Sequence, residues 1–301
     1  MFGNMIADTF IKPFQSPVFD NPENYDLEYE NVAFKAKDDV VLSGWLIKGD
    51  SDKVIIQSHF GVQCSRSGYT REGKGMIKGW HEDVRFLRQA KYLNEAGYTV
   101  LMYDFRNHGN SSEGKLPWIT WGATEALDII GAVDFISNHS AYRSASIGLL
   151  SICMGQGASI AAFGVEDGLK QYKNIKAMIS VQPMDYPCFV NAMGLPKFMV
   201  NSTTRAIKKR TDMDYNKTSW RPNVKDVTVP TLIIQNKNDA YHDKEFVNGV
   251  YQDLKVEKEI LWIEIPKQKS DLFNRMAAYN WIGENSKPIL QWFDNYLKTQ
   301  V

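Results

Sequence analysis

The pattern of hydrophobic and polar positions switches repeatedly between short apolar runs and longer segments with helical spacing. The short runs predict strands at 32–35, 40–47, 53–58, 98–103, 146–152, 175–181, 231–235 and 259–265. Apolar residues three and four apart predict helices at 84–95, 121–138, 154–165, 244–254 and 286–298. The polar turn 37–39 makes the first two strands an antiparallel pair at a sheet edge. The alternation of the other strands with helices predicts an α/β fold with a mostly parallel, doubly wound sheet covered on both faces.

Two stretches are longer than the usual connection between elements. Residues 61–83 are polar and rich in glycine, and residues 183–229 carry helical pieces and aromatic side chains without strand alternation. Ligands of such sheets bind at the carboxyl ends of the strands, where long segments often form lids. We therefore expect 61–83 to line a pocket rim. We expect 183–228 to form a helical cap inserted into a core domain of 1–182 and 229–301.

The composition narrows the classes of function. The chain has 301 residues, 44% of them hydrophobic, and its 35 basic residues balance its 35 acidic residues. No net field therefore attracts nucleic acid or an anionic membrane. No run of about eighteen apolar residues predicts a membrane helix, and residues 1–20 lack the features of a signal peptide.

The cysteines bear on the compartment and on the partners. Cys64, Cys153 and Cys188 form neither a disulfide framework nor a metal-binding pair. We therefore expect a cytoplasmic protein, with no nucleic acid and no membrane as partner. The sequence is also compatible with a homodimer.

The strongest chemical signal lies between the strand 146–152 and the helix 154–165, where the chain reads Ser151-Ile152-Cys153-Met154-Gly155. A nucleophile between small residues at such a junction is typical of a strained turn that exposes the central side chain. A thiolate is the attacking form of cysteine, and the N-terminus of a helix favours negative charge. Cys153 is therefore the candidate nucleophile. The alternative is a small buried hydrophobe in a retired site.

With this turn, the chain resembles the α/β-hydrolases from about residue 31 to its end. Residues 58–61 are similar to the oxyanion loop of that family, 104–111 to its Asp-x-Arg-Gly-His-Gly-x-Ser loop, and 229–239 to the strand that ends in the triad acid. The tail 279–294 is similar to a bacterial branch of the family. The resemblance implies Cys153 in place of the usual serine, as in some dienelactone hydrolases, and Asp239 as the acid. It also implies that the backbone N–H groups of Phe60 and Met154 form the oxyanion hole.

The chain departs from the family at the general base. That base is a histidine after the last strand, and the corresponding loop at 266–280 contains no histidine. Asn274 or Arg275 falls near its place, and neither an amide nor a permanent cation relays protons at neutral pH. His242 is the candidate substitute, three residues after Asp239. Asp239 would then orient His242 or pair with Arg275.

Other residues complete the expected site. His59 and His108 match family positions that usually shape loops, and Asp271 is an alternative carboxylate. Aromatic side chains around the predicted pocket favour an apolar or aromatic acyl group; they are Trp80, Trp118, Trp121, Tyr186, Phe189 and Trp220. The residues that we expect to bind substrate are His59, Trp80, His81, Tyr186 and Trp220.

These observations predict a cysteine-dependent acyl hydrolase or acyltransferase that acts on a small ester, lactone or thioester through an acyl-Cys153 intermediate. No cofactor and no metal are expected, because the HExxH, P-loop and GxGxxG motifs are not found. Two alternatives stay open. One is a catalytically retired hydrolase that binds a ligand, and the other is a lyase or cyclase in which Asp239 or His242 moves protons.

Overall fold

A computed structural model describes residues 2–13, 17–50, 52–73, 82–267 and 274–297. The strands of these residues are β1 (Tyr29–Lys35), β2 (Val41–Ile47), β3 (Lys53–Ser58), β4 (Gly68–Tyr69), β5 (Val84–Arg85), β6 (Thr99–Tyr103), β7 (Ser146–Ile152), β8 (Ile175–Val181), β9 (Thr231–Asn236) and β10 (Lys258–Ile263). Eight of them form one sheet in the order β1-β2-β6-β3-β7-β8-β9-β10. The neighbours of β2 are antiparallel to it, and all other pairs in this sheet are parallel.

The α-helices of the described residues are α1 (Phe2–Ile11), α2 (Leu87–Glu95), α3 (Glu125–Asn138), α4 (Met154–Gly164), α5 (Tyr186–Ala192), α6 (Lys197–Thr211), α7 (Lys244–Asp253), α8 (Met276–Glu284) and α9 (Ser286–Tyr296). Short 3₁₀ helices occur at Pro22–Tyr25, Leu169–Gln171 and Arg221–Asp226. No helix in this part of the chain is both long enough and apolar enough to cross a membrane.

The sheet separates two apolar layers because successive side chains of a strand point to opposite faces. In β3, Ile55 packs in one layer, whereas Val54 and Ile56 pack in the other. Helices α2, α8 and α9 cover the first layer, and α3, α4 and α7 cover the second. The predicted α/β fold with a mostly parallel sheet covered on both faces is confirmed.

Two helices begin later than the pattern predicts. The helix expected at 84–95 begins at Leu87, because Val84 pairs with Tyr69 in a short antiparallel ladder. The helix expected at 121–138 begins at Glu125, because Trp121 and Gly122 have φ values of 57° and 104°. Neither value fits a right-handed helix.

The N-terminal helix α1 was not predicted, and it extends the structure beyond the core. It packs against α5 and α6 in a third apolar cluster that includes Phe10, Tyr186 and Ile207. Helices α1 and α6 approach so closely that a Cβ atom on Gly3 would overlap Ser202. Residues 183–228 contain α5 and α6 and include none of the described strands. Their role as a cap stays a prediction.

Candidate active site

Cys153 occupies the sharp turn between β7 and α4. Its φ and ψ are 51° and −104°, a conformation that a non-glycine residue adopts only when its surroundings enforce it. The backbone N–H of Cys153 donates to Val181 O at 2.8 Å, and that of Gly155 donates to His59 O at 3.1 Å. These bonds hold the turn between the ends of β3 and β8, the two strands that flank β7 in the sheet.

The small residues around Cys153 allow the strand and the helix to lie close together. A Cβ atom on Gly155 would overlap Ser58, and one on Gly157 would lie 2.6 Å from Cδ1 of Trp220. The hydroxyl of Ser151, where the family motif has glycine, pairs with the Ser159 hydroxyl at 2.8 Å. The departure at 151 therefore leaves no buried polar group without a partner.

The Cys153 side chain faces a cleft at the carboxyl ends of the strands. The residue is 8% exposed, and the space within the cleft, including solvent at its mouth, is about 690 Å³. The walls of the cleft are mainly apolar and aromatic; they are formed by Thr9, Phe10, Phe60, Gly61, Val62, Ile119, Trp121, Met154, Met184, Phe189, Tyr241, Arg275, Met276 and Tyr279. The cleft can therefore hold the apolar portion of a substrate beside the Cys153 sulfur.

Arg275 connects the candidate acid to the candidate nucleophile. Its Nη1 donates to Oδ2 of Asp239, and its Nη2 lies 3.5 Å from Cys153 Sγ and 2.7 Å from Gln182 O. The side chains of Arg275 and Asp239 are 5% and 0% exposed. Of the two arrangements that the sequence left open for Asp239, the structure contains the pair with Arg275.

The backbone before α8 holds Arg275 in place. Asn236, the last residue of β9, donates from Nδ2 to Asn274 O at 2.8 Å. Asn274 has a φ of 51° and donates from Nδ2 to Ile265 O at 2.9 Å. Asn274 thus ties the backbone just before α8 to the ends of β9 and β10. Arg275, the next residue, is thereby placed at the cleft.

The charges of the pair depend on each other. Burial opposes the charge of Arg275, but Asp239, Tyr279 and Cys153 together outweigh it, so the pKa of the guanidinium lies well above its usual value. Burial raises the pKa of Asp239, whereas Arg275 and the N–H of Tyr241 act in the opposite direction. That N–H donates to Asp239 Oδ1 at 2.9 Å. Arg275 is therefore a fixed cation beside the sulfur.

Tyr279 brings a phenol to the same point. Its hydroxyl accepts a hydrogen bond from Arg275 Nε at 2.9 Å, and Cys153 is close enough to raise the pKa of the phenol further. Its ring stacks on Phe60 with centroids 4.7 Å apart and an interplanar angle of 14°. Arg275 and Tyr279 are four residues apart, so they share one face of the first turn of α8.

The two residues expected to form the oxyanion hole are both found in the wall of the cleft. Phe60 and Met154 both line the cleft beside Cys153. Met154 is the first residue of α4, and N–H groups in a first helical turn have no acceptor within their own helix. Whether these two N–H groups bind an oxyanion stays a prediction.

His59 supports the Phe60 loop from behind and does not contact the cleft, which corrects its assignment to the substrate-binding set. Its Nε2 accepts from Phe105 N at 3.1 Å, so Nδ1 carries the hydrogen and donates to Phe60 O at 2.6 Å. The residue is 2% exposed, and burial lowers its pKa well below the usual value. His108 also bonds backbone, with Nε2 3.0 Å from Gly61 O.

The structure does not bring His242 to the sulfur. Its ring packs edge-on against Trp262 with centroids 5.7 Å apart, and its Nε2 is buried with no hydrogen-bond partner among the described residues. The backbone N–H of His242 donates to Asp239 O at 3.2 Å, which turns the chain toward β10. The expectation that His242 leans back to Cys153 is therefore corrected: Arg275 occupies that place.

The predicted aromatic set divides between the cleft and the core. Trp121 and Phe189 line the cleft. Tyr186 packs behind Trp121, and Trp220 packs against Phe246 under α4, so neither contacts the cleft and both leave the substrate-binding set. Trp80, His81 and Asp271 lie outside the described residues.

Sequence reasoning missed Tyr279 as a site residue, and it missed the contribution of α1. The signal for Tyr279 was the spacing of 275 and 279, which becomes visible once 276–284 is seen as a helix. Phe10 of α1 gave no such signal, because its place depends on packing against Phe189, with ring centroids 5.2 Å apart. Within the described ranges, no group of three or more His, Cys, Asp or Glu side chains is placed to hold a metal ion.

Comparison with known proteins supports the architecture. No family model and no curated protein matches the sequence. The Pyrococcus furiosus esterase Pf2001 superposes with a TM-score of 0.67 at 22% identity, covering 95% of this chain and all of that one. An acylaminoacyl peptidase from Pyrococcus horikoshii gives 0.60 at 19% identity, covering 91% of this chain and 43% of that one. A dienelactone hydrolase from Anabaena variabilis gives 0.53 at 15% identity, covering 90% and 99%. The chain has the α/β-hydrolase fold.

Proposed function

We propose that this protein is a cysteine-dependent acyl hydrolase or acyltransferase that forms an acyl-Cys153 intermediate from a small ester, lactone or thioester. The observation that carries the proposal is the position of Cys153, at a strained turn on the wall of an apolar cleft, with a guanidinium 3.5 Å from its sulfur. The esterase, peptidase and dienelactone hydrolase with similar folds support hydrolytic acyl chemistry on this scaffold.

The first step is attack of the Cys153 sulfur on a carbonyl carbon. Cysteine depends less on a general base than serine does, because the thiolate is both accessible at neutral pH and strongly nucleophilic. Arg275 pairs with the negative charge of that thiolate, and Asp239 holds Arg275 in position. The acid of the site thus acts by orienting a cation.

The second requirement is stabilisation of the oxyanion. Phe60 and Met154 line the cleft together with Cys153, and their N–H groups would donate to the carbonyl oxygen as it becomes negative. Each such donor typically stabilises the transition state by about 3 kcal/mol. His59 holds the Phe60 carbonyl at 2.6 Å and so fixes the orientation of this loop.

The cleft walls indicate the acyl portion of the substrate. Phe10, Trp121 and Phe189 form an aromatic wall, with ring centroids 5.1 Å apart between Trp121 and Phe189 and 5.2 Å between Phe10 and Phe189. Such walls bind uncharged, apolar groups. Phe189 belongs to residues 183–228, which we propose act as a cap over the cleft.

Intact-mass spectrometry after incubation with p-nitrophenyl butyrate tests the proposal. We expect a mass increase of one butyryl group that maps to Cys153 and is lost in Cys153→Ala. Cys188→Ala is the matched control, because burial raises the pKa of the Cys188 thiol to about 12. An unmodified wild-type protein whose Cys153 also resists iodoacetamide would contradict nucleophilic catalysis.

One observation favours a second candidate, a ligand-binding protein without turnover. A guanidinium cannot accept a proton at neutral pH, and Arg275 stands where the resemblance implies a general base. Under this candidate, the cleft binds an apolar molecule and Cys153 stays unmodified. The same mass measurement separates the two, and binding of butyrate or butyramide without acylation supports the second.

A further inference from the structure

Tyr279 is linked to Cys153 through one guanidinium. Its hydroxyl accepts from Arg275 Nε at 2.9 Å, and Nη2 of the same guanidinium lies 3.5 Å from Cys153 Sγ. Its ring forms part of the cleft wall and stacks on Phe60. The hydroxyl therefore lies beside the sulfur and within the space that a bound substrate would occupy.

The hydrogen-bond chemistry of this contact excludes one direction for the phenolic hydrogen. A guanidinium has donors only, so the Tyr279 oxygen accepts from Arg275 and its own hydrogen points elsewhere. Cys153 lines the same cleft and is close enough to raise the pKa of the phenol. A phenolic hydrogen turned away from Arg275 and into the cleft would reach the sulfur, or the groups of a substrate that is bonded to the sulfur.

We propose that Tyr279 is a catalytic residue that transfers the proton between the leaving group and the acyl acceptor, in place of a histidine. This inference rests on the proposed function, because it requires an acyl-Cys153 intermediate. Arg275 does not itself exchange a proton in this scheme. It keeps the negative charge compensated at each stage.

The first half of the reaction conserves charge and atoms as follows. The Cys153 thiolate forms a bond to the carbonyl carbon, and the bond between that carbon and the leaving oxygen breaks. The leaving oxygen takes the phenolic proton of Tyr279 and departs as a neutral alcohol. The negative charge passes from the sulfur, beside Arg275 Nη2, to the phenolate, beside Arg275 Nε.

The second half reverses the proton transfer. The Tyr279 phenolate takes a proton from water or another acceptor as the acceptor oxygen, nitrogen or sulfur bonds to the thioester carbon. The carbon–sulfur bond breaks, and the thiolate returns to Arg275. One cation thus faces the negative charge in both resting and acylated states.

The environment of Tyr279 suits an acid in the resting protein. Burial raises the pKa of the phenol well above its usual value, the Arg275 cation opposes this increase, and Cys153 adds to it. The phenol therefore retains its proton until a strongly basic oxygen leaves. A leaving group that needs no proton, such as p-nitrophenolate, should acylate Cys153 but leave Tyr279 protonated and unable to activate water.

The test compares Tyr279→Phe with the wild type on butyrate esters of p-nitrophenol, phenol, trifluoroethanol and ethanol, which leave as progressively stronger bases. The rate of Cys153 acylation is measured by quenched-flow intact mass. We expect Tyr279→Phe to acylate about 100-fold or more slowly with the ethyl ester and less than about 10-fold more slowly with the p-nitrophenyl ester. The phenylalanine ring retains the packing against Phe60.

Tyr186→Phe is the matched control, because Tyr186 is a buried tyrosine directly behind Trp121. Tyr186→Phe should change the rate of Cys153 acylation by the same factor for all four esters. Equal losses across the series in Tyr279→Phe would overturn the proton-transfer role while leaving the acyl-Cys153 mechanism intact. Absence of acylation by every ester in the wild type would contradict the proposed function itself.

The slope of the wild-type rate against leaving-group basicity gives a second measurement that needs no variant. A shallow slope supports proton donation to the leaving group. A slope as steep as that of the same esters with a simple thiolate overturns it.

Discussion

Arg275 Nη2 lies 3.5 Å from the Sγ atom of Cys153, while Nη1 of the same guanidinium is bound to Asp239. The candidate acid and the candidate nucleophile are thus connected through a permanent cation. Because Arg275 cannot relay a proton, the connection supplies charge and orientation to the sulfur. Proton transfer must use another group.

The buried pair of Arg275 and Asp239 gives the first prediction. Arg275→Met leaves the carboxylate of Asp239 buried without its partner, and breaking such pairs typically destabilises by about 3–5 kcal/mol. We expect the free energy of unfolding, measured by urea denaturation, to fall by that amount. The double variant Asp239→Leu/Arg275→Met should recover much of the loss, because it leaves no uncompensated charge. A double variant as unstable as the sum of the two single variants would contradict this account.

The identity of the nucleophile gives the second prediction. Cys153→Ser introduces serine, the usual nucleophile of the α/β-hydrolases that the sequence resembles, yet a hydroxyl needs a base to become nucleophilic. The imidazoles of His59 and His242 are engaged with Phe60 and Trp262, so no histidine of this pair can serve. We expect acylation by p-nitrophenyl butyrate to slow by about 10²–10⁴-fold, as measured by p-nitrophenol release.

The rate of Cys188→Ser should stay close to that of the wild type, because Cys188 is buried beside Tyr241 O. A Cys153→Ser variant as fast as the wild type would mean that a base acts on residue 153. The Arg275 arrangement would then be an incomplete description of the site.

Most of the fold could be predicted because its signals are local. Strands β3, β7 and β8 begin and end where the sequence predicts, since a strand buried on both faces has a nearly continuous run of apolar residues. The beginning of α3 could not be predicted. The side chain of Glu125 binds the N–H groups of Thr120 and Gly122, and this local alternative to the helix is not visible in the periodicity.

The site could be predicted only where backbone geometry requires particular residues. Cys153 was recognisable because a strained turn needs small neighbours, and Asp239 because it follows a strand. Arg275 was named from the sequence as a residue near the place of the missing histidine and as a possible partner of Asp239. Tyr279 was not recognised, because its place beside Arg275 depends on the helix that begins at Met276. Tyr186 and Trp220 were wrongly placed at the cleft, because an aromatic residue looks the same in sequence whether it lines a pocket or packs behind one.

The close packing of α4 gives the third prediction. Replacing glycine by alanine within a helix usually stabilises it by up to about 1 kcal/mol. In Gly157→Ala, however, the new Cβ would lie 2.6 Å from the rigid, buried ring of Trp220. We expect the unfolding free energy to fall by about 1–3 kcal/mol. Gly249→Ala in α7 is the control, since its Cβ meets the flexible end of Arg221. Equal effects of the two substitutions in urea denaturation would contradict the packing argument.

The neutral state of His59 gives the fourth prediction, which concerns pH. Burial lowers the pKa of His59 well below its usual value, and its Nε2 accepts a hydrogen bond from Phe105 N, which a protonated ring could not do. The unfolded chain takes up this proton below a pKa of about 6.5, whereas the folded protein does not. The stability that His59 contributes is therefore full above pH 6.5 and decreases as the pH falls, by about 1.4 kcal/mol per pH unit until the lowered pKa is reached.

The wild type alone cannot isolate this effect, because burial raises the pKa of Asp104, Asp128 and Asp239 and these groups act in the opposite direction. The measurement is therefore the difference in unfolding free energy between the wild type and His59→Asn. We expect the variant to be less stable at pH 7.5 and the difference to narrow by about 1.4 kcal/mol at pH 5.5. Ile119→Val removes no titrating group, so its difference from the wild type should not change with pH. A constant difference for His59→Asn would mean that the imidazole accepts a proton in the folded protein, and that the Phe60 loop is held by a cation.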